Sequence, residues 1–595
     1  MAWRWGAGGL CAASGLALPN LLAAQNISAQ CHAAEQEGGT GAAATPAASL
    51  NKLSAFGEWL RQQGADVDAI QFKESDKDEG RYGVYATETT WQRARRGWAG
   101  TIAGWAGWGR DAPIPVAAFP AARALTAANL AQHPQQGAVL RELQELGLVD
   151  ERAAVILHLA VERLRLRQAQ QQGDTPDSGN GGDQGLLPWL ALLPDDFGTT
   201  LYFSELDLMW LRGTTLHKAT RLRQKSLLEA WSRLRPAAQQ LAQQSGLSGE
   251  PTFEDWVWAN SIFWSRAIAF PMPAPGVGVE VQEGIPPVPA GLDFCNHASP
   301  STCYWTVSAA AVVLGRHGSS SSGGGSGRGV QSGSDDAISL VCPRRAVPPA
   351  GQELTIDYGG KSNEELMFLY GFAVRDNPAE VLTLMCPLPP PSEWDDLLRA
   401  RLALLSARGL RPQLHLPAAD LPHLGASAAA KDAAAGKRRG SSDASVASSD
   451  LPEHVLETLE VFVMPAAQVA AELEAANLAG NSGGSGSRQQ APATRGQGEE
   501  EGEEERSGRR MALLTTLVRL LELKALEMEG EEGTGPLEAD EQLLARAGDA
   551  LPRNQKHALL YRMGQKALAR AYLVHAKRLL EQEMAHLAGL QRRHA

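Results

Sequence analysis

Paired cysteines are missing from this chain. Six cysteines occur in 595 residues (Cys11, Cys31, Cys295, Cys303, Cys342 and Cys386) and no two form C-x-x-C, so neither a zinc cluster nor a disulfide framework is signalled. A reducing compartment fits that usage. No stripe of Lys and Arg appears and the formal charge is -12, which excludes a general nucleic-acid binder, because phosphate contacts need clustered cations. A membrane-spanning run is lacking as well: the most apolar stretch near the start, "GAGGLCAASGLALPNLLAA", is broken by Pro19 and diluted with Gly and Ala. No internal repeat stands out.

Acidic residues are absent from Met1 to Ala34, where Arg4 is the only Arg. That composition suggests a removable targeting segment over residues 1–49, with an organelle, the chloroplast, as the expected destination and the cytoplasm or nucleus as alternatives. The total length exceeds one core and suggests roughly two to four structural units, or fewer plus inserts. Four inserts read as disordered: Gln168 to Gly185, Gly318 to Asp336 (within 316–336), Ala426 to Asp450 (within 424–451) and Gly480 to Arg510. Their Gly, Ser, Ala and acidic content buries too little apolar surface to offset ordering entropy, and the "GKRR" and "EEEGEEE" runs read as solvated charge.

Between the inserts the pattern is periodic. Asp150 is placed to cap a helix with Ala153, Leu157, Ala160, Val161 and Leu164 inward and Glu162, Arg163 and Arg167 outward. Phe253 to Phe270 is apolar nearly all round, as a helix buried on most sides is. Arg266 near its end needs an anion, from the protein or from a ligand. After Pro378 only helices are expected: Met511 to Met528, and Pro552 to Leu587 with a stripe of Leu560, Met563, Ala567, Ala571 and Val574. Strands are expected at Arg81 to Thr87, Trp305 to Leu314 and Glu353 to Gly359. The sum is an α+β architecture with a helical second domain.

"VPAGLDFCNHASP", Val288 to Pro300, sets Asn296 and His297 at the end of an apolar run. Taken alone, that pair reads as a polar turn closing a buried strand. "GQELTIDYGGKSNEELMFLYGF", Gly351 to Phe372, changes the reading: it resembles the closing signature of the SET domain, and "GLDFCNHAS" resembles that fold's N-H-S motif with Ala298 inserted before Ser299. "EGRYGVYAT" from Glu79 is similar to its opening glycine turn. "WLALLPDDFGTTLYFSELDLMWLRGTTL" with Phe203 at the usual Trp, "SRAIAF" with Ile268 displacing the Phe, and "RNQKHALLYRMGQKALARA" resemble the Rubisco large-subunit lysine methyltransferases of plants and algae. Two departures stand beside these. The segment after Thr87 is rebuilt as a Trp- and Gly-rich stretch across 88–112, and the spacing from Pro289 to Asp293 is one residue longer than usual.

The resemblance implies a SET-domain β-fold with a pseudoknot over residues 50–378, a helical insertion at about 136–270, and an all-α substrate-binding domain over 379–595. It implies an S-adenosylmethionine-dependent protein-lysine N-methyltransferase acting on a folded protein, such as the Rubisco large subunit, as a monomer and without nucleic acid, membrane or metal. Carried over by motif, Glu79, Tyr82, Arg266, Asn296, His297 and Phe372 bind the cofactor. Tyr358 and Tyr370 are catalytic, and Ser265, Asp293 and Tyr358 meet the substrate amine. The competing readings are a core aromatic for each tyrosine, an internal salt bridge for Arg266, and plain packing for Cys295 and Cys303. For the whole chain they are a SET-like scaffold that methylates nothing, or transfer to another side chain such as histidine.

Overall fold

Short strands of two to eight residues and helices of up to 42 residues share the chain. The computed structural model describes residues 46–75, 81–99, 113–172, 185–274, 278–285, 291–307, 337–343, 346–421, 451–481 and 502–594. The expected targeting segment up to residue 45, Glu79, and most of the four low-complexity inserts lie outside the described residues. The described chain divides into two units. A strand-bearing unit holds residues up to 197 and 224–360, and a helical unit holds 198–223 and 361 onward.

The strand-bearing unit opens with a helix, Pro46–Gln62, whose Phe56 stacks on Trp59 at 6.1 Å and meets Phe72 and Phe294 edge-on. β1 (Ile70–Glu74) and β2 (Tyr82–Ala86) pair antiparallel. The segment expected to be a rebuilt strand after Thr87 instead begins as a helix, Glu88–Ala99, with Glu88 in its first turn where the helix dipole favours an acid. β3 (Ile114–Pro120), β8 (Ala337–Cys342) and β7 (Tyr304–Val307) form one sheet in that order. β4 (Leu125–Thr126), β6 (Gly278–Ile285) and β5 (Ile268–Ala274) form another.

Several expected boundaries shift. Asp150 does cap the helix Glu151–Gln171, its carboxylate accepting from the Ala153 N–H at 2.7 Å, but Glu162 faces inward, with Gln136 and Arg165 as partners. The same helix runs to Gln171, so the first residues of the expected insert at Gln168 are helical. The helix from Phe253 ends at Arg266, not Phe270, because the chain turns into β5; Pro271 and Pro273 are tolerated there since β5 is an edge strand. The strand expected from Trp305 is described only as Tyr304–Val307. Glu353 to Gly359 forms no ladder. It makes single bridges, Tyr85 to Glu353 and His297 to Ile356, because it serves two neighbours in succession.

The helical unit also corrects the expectation that strands stop after Pro378. β9 (Val381–Met385) and β10 (Gln413–Pro417) pair antiparallel, burying Leu382, Leu384, Leu414 and Leu416 against the helices Glu453–Val463, Glu503–Glu529 and Arg553–His594. The second of these begins at Glu503, inside the acidic insert and ahead of Met511. Glu503, Glu504 and Glu505 fill its first turn, where they meet the positive end of the dipole.

Candidate active site

The segment Gly351–Tyr358 is the spine of the candidate site. Its first half bonds β2: Gly351 N–H to Ala86 O at 2.8 Å, Ala86 N–H to Gln352 O at 2.9 Å, and Leu354 N–H to Val84 O at 2.7 Å. Its second half runs parallel to the Asn296–Ala298 segment. Ile356 N–H donates to Asn296 O at 3.0 Å and Ala298 N–H to Ile356 O at 3.1 Å. Thr302 and Thr355 tie the exit, with Thr355 N–H donating to Thr302 Oγ1 at 2.7 Å. Residues about sixty positions apart in sequence are therefore held at backbone hydrogen-bond distance.

Side chains then converge. The Tyr358 N–H donates to His297 Nδ1 at 3.2 Å, and the two rings lie 5.2 Å apart. That bond requires Nδ1 to be unprotonated. Burial agrees, lowering the His297 pKa, while Asp357, 3.9 Å away, pulls it up. The Tyr358 hydroxyl donates to the Cys295 carbonyl at 2.9 Å. Asn296 Nδ2 donates to Glu353 Oε1 at 2.7 Å and reaches the Tyr82 carbonyl at 3.5 Å. Gly83 permits this approach: a Cβ there would stand 2.7 Å from Glu353 Oε1 and 3.2 Å from Asn296 Nδ2.

The described chain ahead of Asn296 begins at a sharp turn. Gly291 takes a left-handed φ of 60°, over the Phe72 ring, and starts the short 3-10 turn Leu292–Phe294. Tyr82 and Phe294 rings are 6.3 Å apart. Arg266 sits over the Phe294 ring at 5.0 Å and donates to both the Asp293 carbonyl and Asp293 Oδ2, each at 2.7 Å. The internal salt bridge is thus the anion that Arg266 finds in this structure. Trp189 Nε1 adds a bond to the same Oδ2 at 3.0 Å. Arg266 Nε and Asp293 Oδ1 remain buried without a hydrogen-bond partner. A ligand carrying both an acceptor and a donor fits that pair, as the amino and carboxylate groups of an amino acid would. Ser265 spends its hydroxyl on Ser261 O at 2.6 Å, which leaves its side chain out of the site.

The structure therefore gathers Tyr82, Arg266, Asp293, Asn296, His297 and Tyr358 in the strand-bearing unit. Glu79 lies outside the described residues. Tyr370 and Phe372 belong to the helical unit, with rings 6.3 Å apart, and burial pushes the Tyr370 phenol up to about 12. Sequence reasoning missed Glu353 and Trp189. Both stand inside the quoted motifs, but each is a partner to a site residue, and only the fold reveals partners. Beside Glu353 a cleft of about 350 Å³ opens, lined by Tyr85, Ala298, Thr302 and Thr355 among others.

No family model matches the chain. Its fold is similar to that of solved methyltransferase structures. The SET domain of LSMT bound to lysine and AdoHcy aligns over 90% of this chain and 92% of that one, with a TM-score of 0.54 and 17% identity. Rubisco LSMT bound to AdoMet aligns over 90% and 93%, at 0.51 and 16%. Among curated proteins, a ribosomal lysine N-methyltransferase of Schizosaccharomyces pombe is 26% identical over 208 residues, 34% of this chain and 30% of that protein. SET domain-containing protein 8 of the same organism is 24% identical over 210 residues, 35% of this chain and 39% of that protein. The aligned region thus spans about a third of the length of the curated relatives it matches. Together with the His297 to Ile356 crossing, these likenesses give the chain the SET-domain fold of the Rubisco LSMT kind, with a helical C-terminal region that also carries one β-ribbon.

Proposed function

We propose that the chain is an S-adenosylmethionine-dependent protein-lysine N-methyltransferase acting on a folded protein. The observation that carries this reading is the crossing of the two segments, which sets His297 and the Tyr358 phenol side by side. Asn296, His297 and Tyr82 hold the cofactor, and the motif resemblance alone adds Glu79 and Phe372 to that set. The orphaned Arg266 Nε and Asp293 Oδ1 receive its amino-acid end. The bound cofactor supplies a sulfonium methyl that is already activated, so neither a metal nor a covalent intermediate is required. The chain's task is orientation and deprotonation. A lysine amine has a free pKa of about 10.4 and must shed its proton, which a narrow apolar channel favours by desolvation. Tyr358 orients the amine and the carbonyls of Ser265 and Asp293 accept from it, while Tyr370 is given a catalytic part by the motif resemblance alone. The Asp293 carbonyl already accepts from Arg266, but a carbonyl oxygen has a second lone pair to offer.

Calorimetric titration of the full chain with S-adenosylmethionine tests the reading: heat in the wild type and its loss in Asn296→Ala are expected. Incubating a lysate with labelled cofactor, followed by mass spectrometry, then identifies the target, for which the Rubisco large subunit and ribosomal proteins are the first candidates. The Arg266–Asp293 pair also favours a second reading, a scaffold that binds a partner and methylates nothing, since the guanidinium is already neutralised within the chain. Absence of any heat would select it. We further assign the chain to the chloroplast on the composition of its first residues, which a fluorescent fusion of residues 1–49 tests.

A further inference from the structure

The sulfurs of Cys303 and Cys342 lie 2.7 Å apart. That is closer than unbonded heavy atoms usually settle, about 3.5–4.0 Å for the smaller carbon, and longer than a disulfide bond of about 2.05 Å. The placement comes from strand register. Tyr304 pairs with Val341 in the β7–β8 ladder, so the next position outward sets Cys303 opposite Cys342. Both side chains are buried, at 1% and 0% exposure.

We propose that Cys303 and Cys342 are a redox-modification site, closed to an intrachain disulfide by a peroxide and reopened by a dithiol. Either sulfur can be the donor in this contact; with Cys342 as donor, its thiol and a second bond from Thr302 favour Cys303 as the thiolate, while the Cys303 sulfur and burial hold Cys342 protonated. Cys303 attacks the peroxide O–O bond, giving a sulfenic acid and, after protonation of the leaving hydroxide, water. Cys342 then loses its proton and attacks the sulfenic sulfur, whose hydroxyl leaves as a second water. Two thiols are oxidised and one peroxide is reduced. The burial that shields both sulfurs admits a small peroxide more readily than a protein oxidant.

The bond would matter to the neighbouring site. Cys342 pairs with Ile114 in β3, and Cys303 N–H donates to Thr355 O at 2.9 Å, on the spine that ends in Tyr358. Closure would tie the central strand β8 to that spine across 39 residues of chain. The pair needs no role in methyl transfer, so it stands whether or not the proposed activity does.

The full chain, first reduced, is treated with hydrogen peroxide, alkylated and mapped by non-reducing peptide mass spectrometry. Cys295 shares a tryptic peptide with Cys303, so the variants Cys303→Ser and Cys295→Ser are mapped alongside, with Cys386 as an internal control thiol. Expected is a link between the Cys303 and Cys342 peptides that survives Cys295→Ser, disappears in Cys303→Ser, and reverses with dithiothreitol. Its formation should raise the Tm of the wild type by about 5–10 °C. Full alkylation of both thiols after peroxide, a link retained in Cys303→Ser, or oxidation to sulfinic acid without a link would each overturn the proposal. Should Cys303→Ser fail to fold, Cys342→Ala gives the same reading.

Discussion

The hydroxyl of Tyr358 donates to the Cys295 carbonyl, and its backbone N–H donates to His297, so this residue is fixed at both ends. Tyr358→Phe removes only the first of these bonds. Under the proposed function it should lower turnover on the order of 10²-fold while leaving S-adenosylmethionine affinity unchanged in calorimetry. Unaltered turnover would remove Tyr358 from the chemistry. The second bond carries a pH sign. His297 must be neutral at Nδ1 to accept, and burial lowers its pKa from 6.5, so the contact is intact above that value and is lost as pH falls through the depressed one. At this scale the motif residues were legible because their chemistry is local to the motif. Arg266 was only half legible: a guanidinium on a buried helix announces a need for an anion, but Asp293 lies 27 positions away, and nothing local names it.

Elements were legible where one face alone decides burial, and illegible where a partner does. The long helix Arg553–His594 shows why. The stripe of Leu560, Met563, Ala567, Ala571 and Val574 is not its buried face; Val574 is 70% exposed. The buried face instead runs through Ala558, Tyr561, Gln565, Ala569, Tyr572 and Ala576, and takes Arg562 and Lys566 in with it. A hydrophobic period rejects charged positions, yet these two share an ion-pair partner, Asp540 of the helix Leu537–Ala547, with Arg562 Nη2 at 2.5 Å and Lys566 Nζ at 2.6 Å. Asp540→Ala would strand a lysine of 0% exposure, and the expected loss is about 3–5 kcal/mol. Denaturant unfolding of the variant measures it; a loss within noise would mean that Lys566 simply sheds its proton. The β9–β10 ribbon failed to read for a different reason. "VLTLM" and "QLHLP" do alternate, with Leu382, Leu384, Leu414 and Leu416 all inward, but five-residue runs amid helical text carry too few periods to decide.

Across the whole molecule, burial holds titratable groups neutral, so the buried histidines are pushed down and buried carboxylates such as Glu162, Glu364 and Glu380 are pushed up. In the strand-bearing unit, burial, reinforced by His133 and Arg165, lowers His158 to about 3; its Nδ1 sits 2.9 Å from Gln136 Oε1. A histidine held below its unfolded value of 6.5 contributes stability that is complete above pH 6.5 and is lost as pH falls through 3, a span of roughly 5 kcal/mol. In the helical unit, burial raises Glu380 to about 7. Gln565 Nε2 donates to Glu380 Oε1 at 3.0 Å, while Glu380 Oε2 and Gln565 Oε1 are both buried without a donor. A proton on Glu380 removes the charge that burial penalises. Its contribution is therefore complete below 4.5 and is lost as pH rises through 7, a span of about 3 kcal/mol. Glu364, raised by burial beside Tyr561, acts in the same sense. Calorimetric melting from pH 4 to pH 9 should show an acid limb and an alkaline limb. Glu380→Gln is expected to flatten the alkaline limb and spare the acid one, and His158→Asn the reverse; a variant that moved both limbs, or neither, would show that these groups do not govern them.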